Sequence, residues 1–323
     1  MQEYNPFDKM TFTADRCFLC GAKLTDENRT KEHIYPKWLQ HKFNLWNDSL
    51  ILLNNTDIKY KDLTIPCCLR CNGIMSAKIE KPIQVNVDAG YDEFIKCDRT
   101  TIFQWLNKIA YGILFKETSL KLDRRKPDSG SIYSAEELKE HKMQYMFLKS
   151  IISDTQFHKK PYSMLIFKIK NVEPRYWAWE NPFLHTFCIQ MNDIGIISCL
   201  MDNGLNEEFF LNFEKQRGLL EQHIHPVQFL EICSMFVYKT SLMSKRPFYI
   251  TNSDEDGNPV DIISFDMSGD VFVEWDQEEY SKIYGALLRD NNYALDVGDV
   301  YQGNGLIAST LWDEYGNFFD IPL

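Results

Sequence analysis

Apolar residues return every three or four positions between residues 101 and 116: Ile102, Trp105, Leu106, Ile109, Ile113 and Leu114. That period predicts an amphipathic helix. Phe209–Gln222 and Gln277–Arg289 read the same way. So does Val227–Leu242, which Pro226 opens and which sets Val227, Leu230, Phe236 and Val237 on one side. Ser134 is a candidate N-cap for a further helix. Ser163–Lys170 is strand-like, and Leu184–Met191 and Ile194–Met201 flank Asn192-Asp193 as the two arms of a hairpin. Lys121–Ser131, charged and broken by Pro127 and Gly130, reads as a surface loop.

The first quarter has a different grain. Glu32–Leu39 begins as a strand end and turns at Pro36 into a short helix; Ser49–Leu53 is a short strand with a turn at Asn54-Asn55; Asn72–Lys81 fits a helix. Pro82–Asp98 is the candidate linker. The expected organisation is α+β, with a small domain over 1–85 and a larger mixed α+β domain over 86–323, in a chain of 323 residues.

Charge narrows the functional classes. The formal net charge is −11, yet residues 1–89 hold 12 basic and 11 acidic side chains, leaving 23 basic and 35 acidic for the rest. A broad basic surface for nucleic acid is absent, so any such contact falls to the near-neutral first part. No apolar run approaches the ~20 residues of a membrane helix. No basic segment followed by an apolar one opens the chain as a signal peptide would. The expected location is the cytoplasm, without a membrane partner.

Nine cysteines and no secretion signal argue against a disulfide framework. Cys97, Cys188, Cys199 and Cys233 stand alone among apolar neighbours and read as buried free thiols. The other five lie in Cys17-Phe-Leu-Cys20 and Cys67-Cys68-Leu-Arg-Cys71. Two C-x2-C pairs offer the four-thiolate cage that zinc prefers, with Cys17, Cys20, Cys68 and Cys71 as ligands. Cys67 is a spare, able to replace Cys68 only with C-x3-C spacing. Zn2+ in such a cage is structural, since no coordination position remains for water.

Between the knuckles stands Glu32-His33, and Asn72 follows the last cysteine. A histidine can take a proton from water near neutral pH, and carboxylate and amide oxygens suit a hard cation. The plainer reading makes Glu32 a cap and His33 a satisfied polar residue; the flanking knuckles favour chemistry. Weaker signals are Tyr176-Trp177-Ala-Trp179, where packing outweighs base stacking, and His223-Ile-His225, which fits a helix end better than a metal site. Asp254–Asn258 fails as a calcium loop because Phe265 stands at its twelfth position.

Glu32-His33-Ile-Tyr-Pro36-Lys37-Trp38, with Cys68-x-x-Cys71-Asn72-Gly-x-Met-Ser76-x-x-x-Glu80, resembles the zinc-stabilised HNH (ββα-metal, treble-clef) endonucleases of bacteria over about residues 1–81. The resemblance implies a metal-dependent endonuclease that hydrolyses phosphodiester bonds. DNA is the expected nucleic acid, and anti-phage defence an expected setting. It implies His33 as general base and Glu32 and Asn72 as ligands of one catalytic Mg2+ or Mn2+. The asparagine that orients the histidine would be Asn54 or Asn47, with Asn54 preferred. The family often has aspartate and histidine where this chain has Glu32 and Asn72. Lys37, Arg70 and Lys78 are the nearest candidate phosphate contacts. Residues 86–323 would then bind a regulatory protein or another copy. The alternative is a non-catalytic zinc module that binds nucleic acid or protein.

Overall fold

A computed structural model describes residues 13–323, apart from positions 119, 124, 127, 131, 133, 134, 172, 173, 266, 294–296 and 304. The chain is mixed α and β, and it divides into two compact units. The first runs to Lys159 and adds Tyr249–Ile263; the second holds Lys160–Phe248 and Ser264–Leu323.

The first unit opens on β1 (Arg29–His33), which pairs antiparallel with β4 (Thr64–Cys68) so that Glu32 faces Ile65 and His33 faces Thr64. Between them lie α1 (Lys37–Lys42) and the antiparallel pair β2 (Ser49–Ile51) and β3 (Asp57–Lys59). Pro36 is the N-cap of α1, where it has no N–H to leave unpaired. Asn55 turns the β2–β3 hairpin with φ 57°, a conformation asparagine tolerates. β4 runs straight into α2 (Leu69–Met75), whose N-cap is Cys68: its Sγ accepts the Cys71 N–H at 3.4 Å.

A π-turn over Ser76–Glu80 joins α2 to α3 (Lys81–Ala89); α4 (Tyr91–Phe94) and α5 (Arg99–Thr118) follow. Pro82–Asp98 is therefore largely helical rather than a linker. Pro82 sits in the first turn of α3, where proline is tolerated, and Gly90 at φ 88° ends that helix. The compact units part at Lys159 and not after residue 85, because α5 belongs to the first. Its Ile102, Trp105, Leu106 and Ile109 are fully buried. Phe18, between the first two cysteines, stacks on its Tyr111 at 6.3 Å. α6 (Ala135–Lys149) adds Tyr145, whose hydroxyl donates to the Leu19 carbonyl at 2.9 Å. The expected cap Ser134 lies outside the described residues. β5 (Gln156–Phe157) closes this stretch.

The second unit is built on β6 (Ser163–Ile169), β7 (Tyr176–Asn181), β8 (Thr186–Met191) and β9 (Ile194–Cys199). Asn192 takes φ 54° in the β8–β9 turn. Next come α7 (Leu205–Asn212), α8 (Glu214–Gly218), β10 (His223–Ile224) and α9 (Pro226–Ser241). The sheet order is β10-β6-β9-β8-β7, with β10 parallel to β6 and the remaining pairs antiparallel. α9 lays Phe229, Ile232, Cys233 and Phe236 into a core with Phe167, Cys188 and Ile197. Gly195 permits that seating. A Cβ there would lie 2.4 Å from Ile169 Cδ1 and 2.6 Å from Phe229 Cε2. Back in the first unit, β11 (Phe248–Ser253) and β12 (Pro259–Phe265), which span its Tyr249–Ile263 segment, form a three-stranded sheet with β5. α10 (Gln277–Asp290) starts on the Asp276 carboxylate, which accepts the Glu278 and Glu279 N–H groups. The short α11 (Val297–Val300), β13 (Tyr301–Gly303) and β14 (Leu306–Ile307) complete the chain.

Candidate metal centre and its acidic neighbour

Local geometry explains the sulfur cluster. Gly21, at φ 72°, turns the chain after Cys20, and the Cys17 N–H donates to the Ala22 carbonyl at 2.9 Å. The Phe18 N–H donates to the Pro66 carbonyl at 2.9 Å, which ties this knuckle to β4. The Sγ atoms of Cys17, Cys20, Cys68 and Cys71 consequently lie within 4.8 Å of one another, and those of Cys20 and Cys68 are 3.8 Å apart. Four thiolates at about 2.3 Å from a tetrahedral ion would sit about 3.8 Å apart. These four cysteines could bind a metal ion. Cys67 is outside that group; its Sγ is 3.9 Å from Cys17 Sγ and 3.5 Å from the Cys68 carbonyl oxygen. Cys188, Cys199 and Cys233 are free and buried, and Cys97 is free and half-buried.

β1 and α2 bring Glu32 and Asn72 together: Asn72 Nδ2 donates to Glu32 Oε2 at 2.9 Å and to Thr30 Oγ1 at 3.3 Å. The other carboxylate oxygen, Oε1, is 2.6 Å from Lys108 Nζ. That ammonium is fully buried; it also pairs with Glu80 at 2.9 Å, donates to the Ile34 carbonyl at 3.0 Å and donates to the His33 carbonyl. α5 reaches this place because Gly112, one turn past Lys108, lies against Ile34; a Cβ on it would be 3.1 Å from both Ile34 γ carbons. The Glu32 carboxyl is pushed up to about 7, first by burial, with Lys108 pulling against it and Glu80 adding to the rise. Burial alone would lower Lys108, yet the two carboxylates hold it above its usual value. The ammonium thus keeps its proton, and proton uptake near neutral pH falls on Glu32.

His33 is half-buried and stacks on Trp46 with centroids 6.0 Å apart. Its pKa is lowered, first by burial and then by the charges of Lys37, Lys108 and Lys31, with Glu80 opposing. The imidazole is therefore neutral at pH 7. Lys37 and Lys31 are exposed cations near it, and Arg70 and Lys78 are exposed too. Asn54 does not reach the imidazole through any described hydrogen bond. Its Oδ1 accepts the Thr56 N–H at 3.0 Å and its Nδ2 donates to the Lys121 carbonyl at 3.1 Å, so the amide shapes the β2–β3 turn. Asn47 Oδ1 accepts from Lys61 Nζ at 2.9 Å.

The sequence pattern did not single out Lys108. Its one signal is a lysine three residues after Trp105, inside an apolar stripe. The minor motifs resolve as packing and turns. Trp177 and Trp179 pack on the second unit's core. His225 Nδ1 caps α9 by accepting the Val227 N–H. The Asp254 carboxylate accepts the Asp256 and Asn258 N–H groups. No described helix is long and apolar enough to cross a membrane. No protein-family model matches the chain, and no curated protein or solved structure matches it significantly.

Proposed function

We propose that the first unit is a zinc-stapled ββα module of the HNH type that hydrolyses phosphodiester bonds, with DNA as substrate. The observation that carries this reading is the meeting of Glu32 and Asn72 at 2.9 Å, with the half-buried, neutral His33 next in the chain to Glu32 and four clustered cysteines around the start of the helix that carries Asn72. Zinc is the ion whose chemistry the four sulfurs suit, and its task is to hold β1, β4 and α2 in register. A neutral imidazole can accept a proton from water, and Lys31 and Lys37 offer positive charge for a phosphate. The Glu32 and Asn72 oxygens are of the type that takes Mg2+ or Mn2+, and such an ion would offset the charge of the phosphate.

One observation favours a second reading. The Lys108 ammonium already lies 2.6 Å from Glu32 and 2.9 Å from Glu80, so a divalent ion has to compete with it. If Lys108 keeps its place, the carboxylates are structural and the module binds nucleic acid or a protein without cutting. The two readings separate on incubation of the purified protein with plasmid and Mg2+ or Mn2+, beside His33→Ala. Metal-dependent nicking that the variant lacks supports the hydrolase. An inactive wild type with intact DNA binding supports the binding module.

A further inference from the structure

The second unit contains a cavity of about 430 Å3 that the proposed hydrolase does not use. Phe209, Trp275, Tyr280 and Trp312 give it an aromatic wall, and Met235 and Ile307 add apolar surface. A largely apolar cavity of this size with a few placed polar groups is the usual form of a small-molecule site. It continues into a neighbouring space of about 320 Å3 through shared Phe213, Gln216, Met235 and Trp312.

Three polar groups set its chemistry. Lys239 Nζ lies 3.8 Å from the centroid of Phe209, a wall of the cavity, and 4.0 Å from that of Phe272. Among the described residues no carboxylate pairs with it, and burial lowers its pKa with no acidic group acting against that. Gln216 Oε1 is buried without a hydrogen-bond partner. An orphaned buried carbonyl is costly, and a ligand N–H would relieve it. Glu231 also lines the cavity, but its oxygens are already taken. Ser309 Oγ, the Thr310 N–H and the Thr310 hydroxyl each donate to it at 2.6 Å. The cavity's uncommitted charge is thus positive and its uncommitted polar atom is an acceptor.

We propose that this cavity binds a small planar aromatic anion bearing an N–H donor. The ring lies between the aromatic walls, the anionic group meets Lys239 Nζ and the donor meets Gln216 Oε1. A nucleotide and an aromatic carboxylate share that chemistry.

Titration calorimetry of the full chain with adenosine 5′-monophosphate and with indole-3-acetate, in the absence of nucleic acid, tests the proposal and separates the sources. Saturable binding of either anion is expected, with neutral adenosine weaker by about tenfold or more. Saturation by the nucleotide alone assigns the site to nucleotides, and by indole-3-acetate alone to carboxylates. Lys239→Met should weaken the bound anion by a similar factor while Lys239→Arg retains it, with melting temperatures showing that both variants are folded. Failure of both anions to saturate in the millimolar range overturns the proposal, as does Lys239→Met binding like the wild type. Neither result touches the hydrolase reading.

Discussion

His33 and Lys108 make opposite demands on one small volume, and each gives a measurement. A general base must be unprotonated, and burial with three nearby ammonium groups lowers the His33 pKa below its ordinary 6.5. The rate of nicking should rise with pH through an inflection below 6.5 and be level at pH 7; an inflection above 6.5 would remove His33 from that role. Lys108→Met removes the counter-ion of two carboxylates and the donor to two carbonyls. Breaking a buried pair in this way costs about 3–5 kcal/mol. Unfolding by denaturant should show that loss. Mn2+ should then restore more stability to the variant than to the wild type if Glu32 and Asn72 can hold a divalent ion. Equal response to Mn2+ favours the non-catalytic reading.

At the scale of elements, two glycines with opposite surroundings test the packing. Gly195→Ala drives a methyl into Ile169 and Phe229, both in a closed core, and should cost about 1–3 kcal/mol. Gly73 lies inside α2 with nothing within 4 Å of its would-be Cβ, so Gly73→Ala should gain about 0.5–1 kcal/mol from helix propensity. Melting curves with the signs reversed would contradict the placement of these elements. The same contrast shows what was legible in the sequence. Local signals worked: the i, i+3, i+4 period marks α5, Asn192-Asp193 marks the β8–β9 turn, and Pro226 marks the start of α9. The sulfur cluster was legible because knuckle spacing is itself a local pattern. Proline misled at Pro82, read as the start of a linker, because the same residue is also welcome in a first helical turn. Lys108 was not legible in its role, since its partners Glu32 and Glu80 lie far from it along the chain and meet it only in the folded unit, where Gly112 lies close against Ile34. Asn54 shows the converse limit. Its place after an apolar run suited a catalytic asparagine, and the described hydrogen bonds of its amide go to Thr56 and Lys121.

For the whole molecule, both units bury apolar residues of their own, and the first adds the sulfur cluster. The second has hydrophobic clusters formed from its own residues, such as Phe167, Ile197, Phe229 and Phe236, and Leu230, Tyr238, Tyr280 and Leu288. In the first, β1, β4 and α2 are short, and the proposed zinc ties the segment holding Cys17 and Cys20 to them. Structural zinc contributes on the order of 10 kcal/mol in small domains, comparable to the whole stability of a domain. Removing it should therefore unfold the cysteine-bearing part without unfolding the β6–β9 sheet. Hydrogen exchange after treatment with a strong chelator is the measurement, with Cys71→Ser as the genetic counterpart. Amides of β1, β4 and α2 should lose protection, and those of β6, β8 and β9 should keep it. Elemental analysis should show one zinc per chain lost in both cases. Unchanged protection in β1 and α2 after the metal is gone would mean that the four sulfurs pack without needing an ion, and the zinc-stapled frame on which His33 is proposed to act would fall with it.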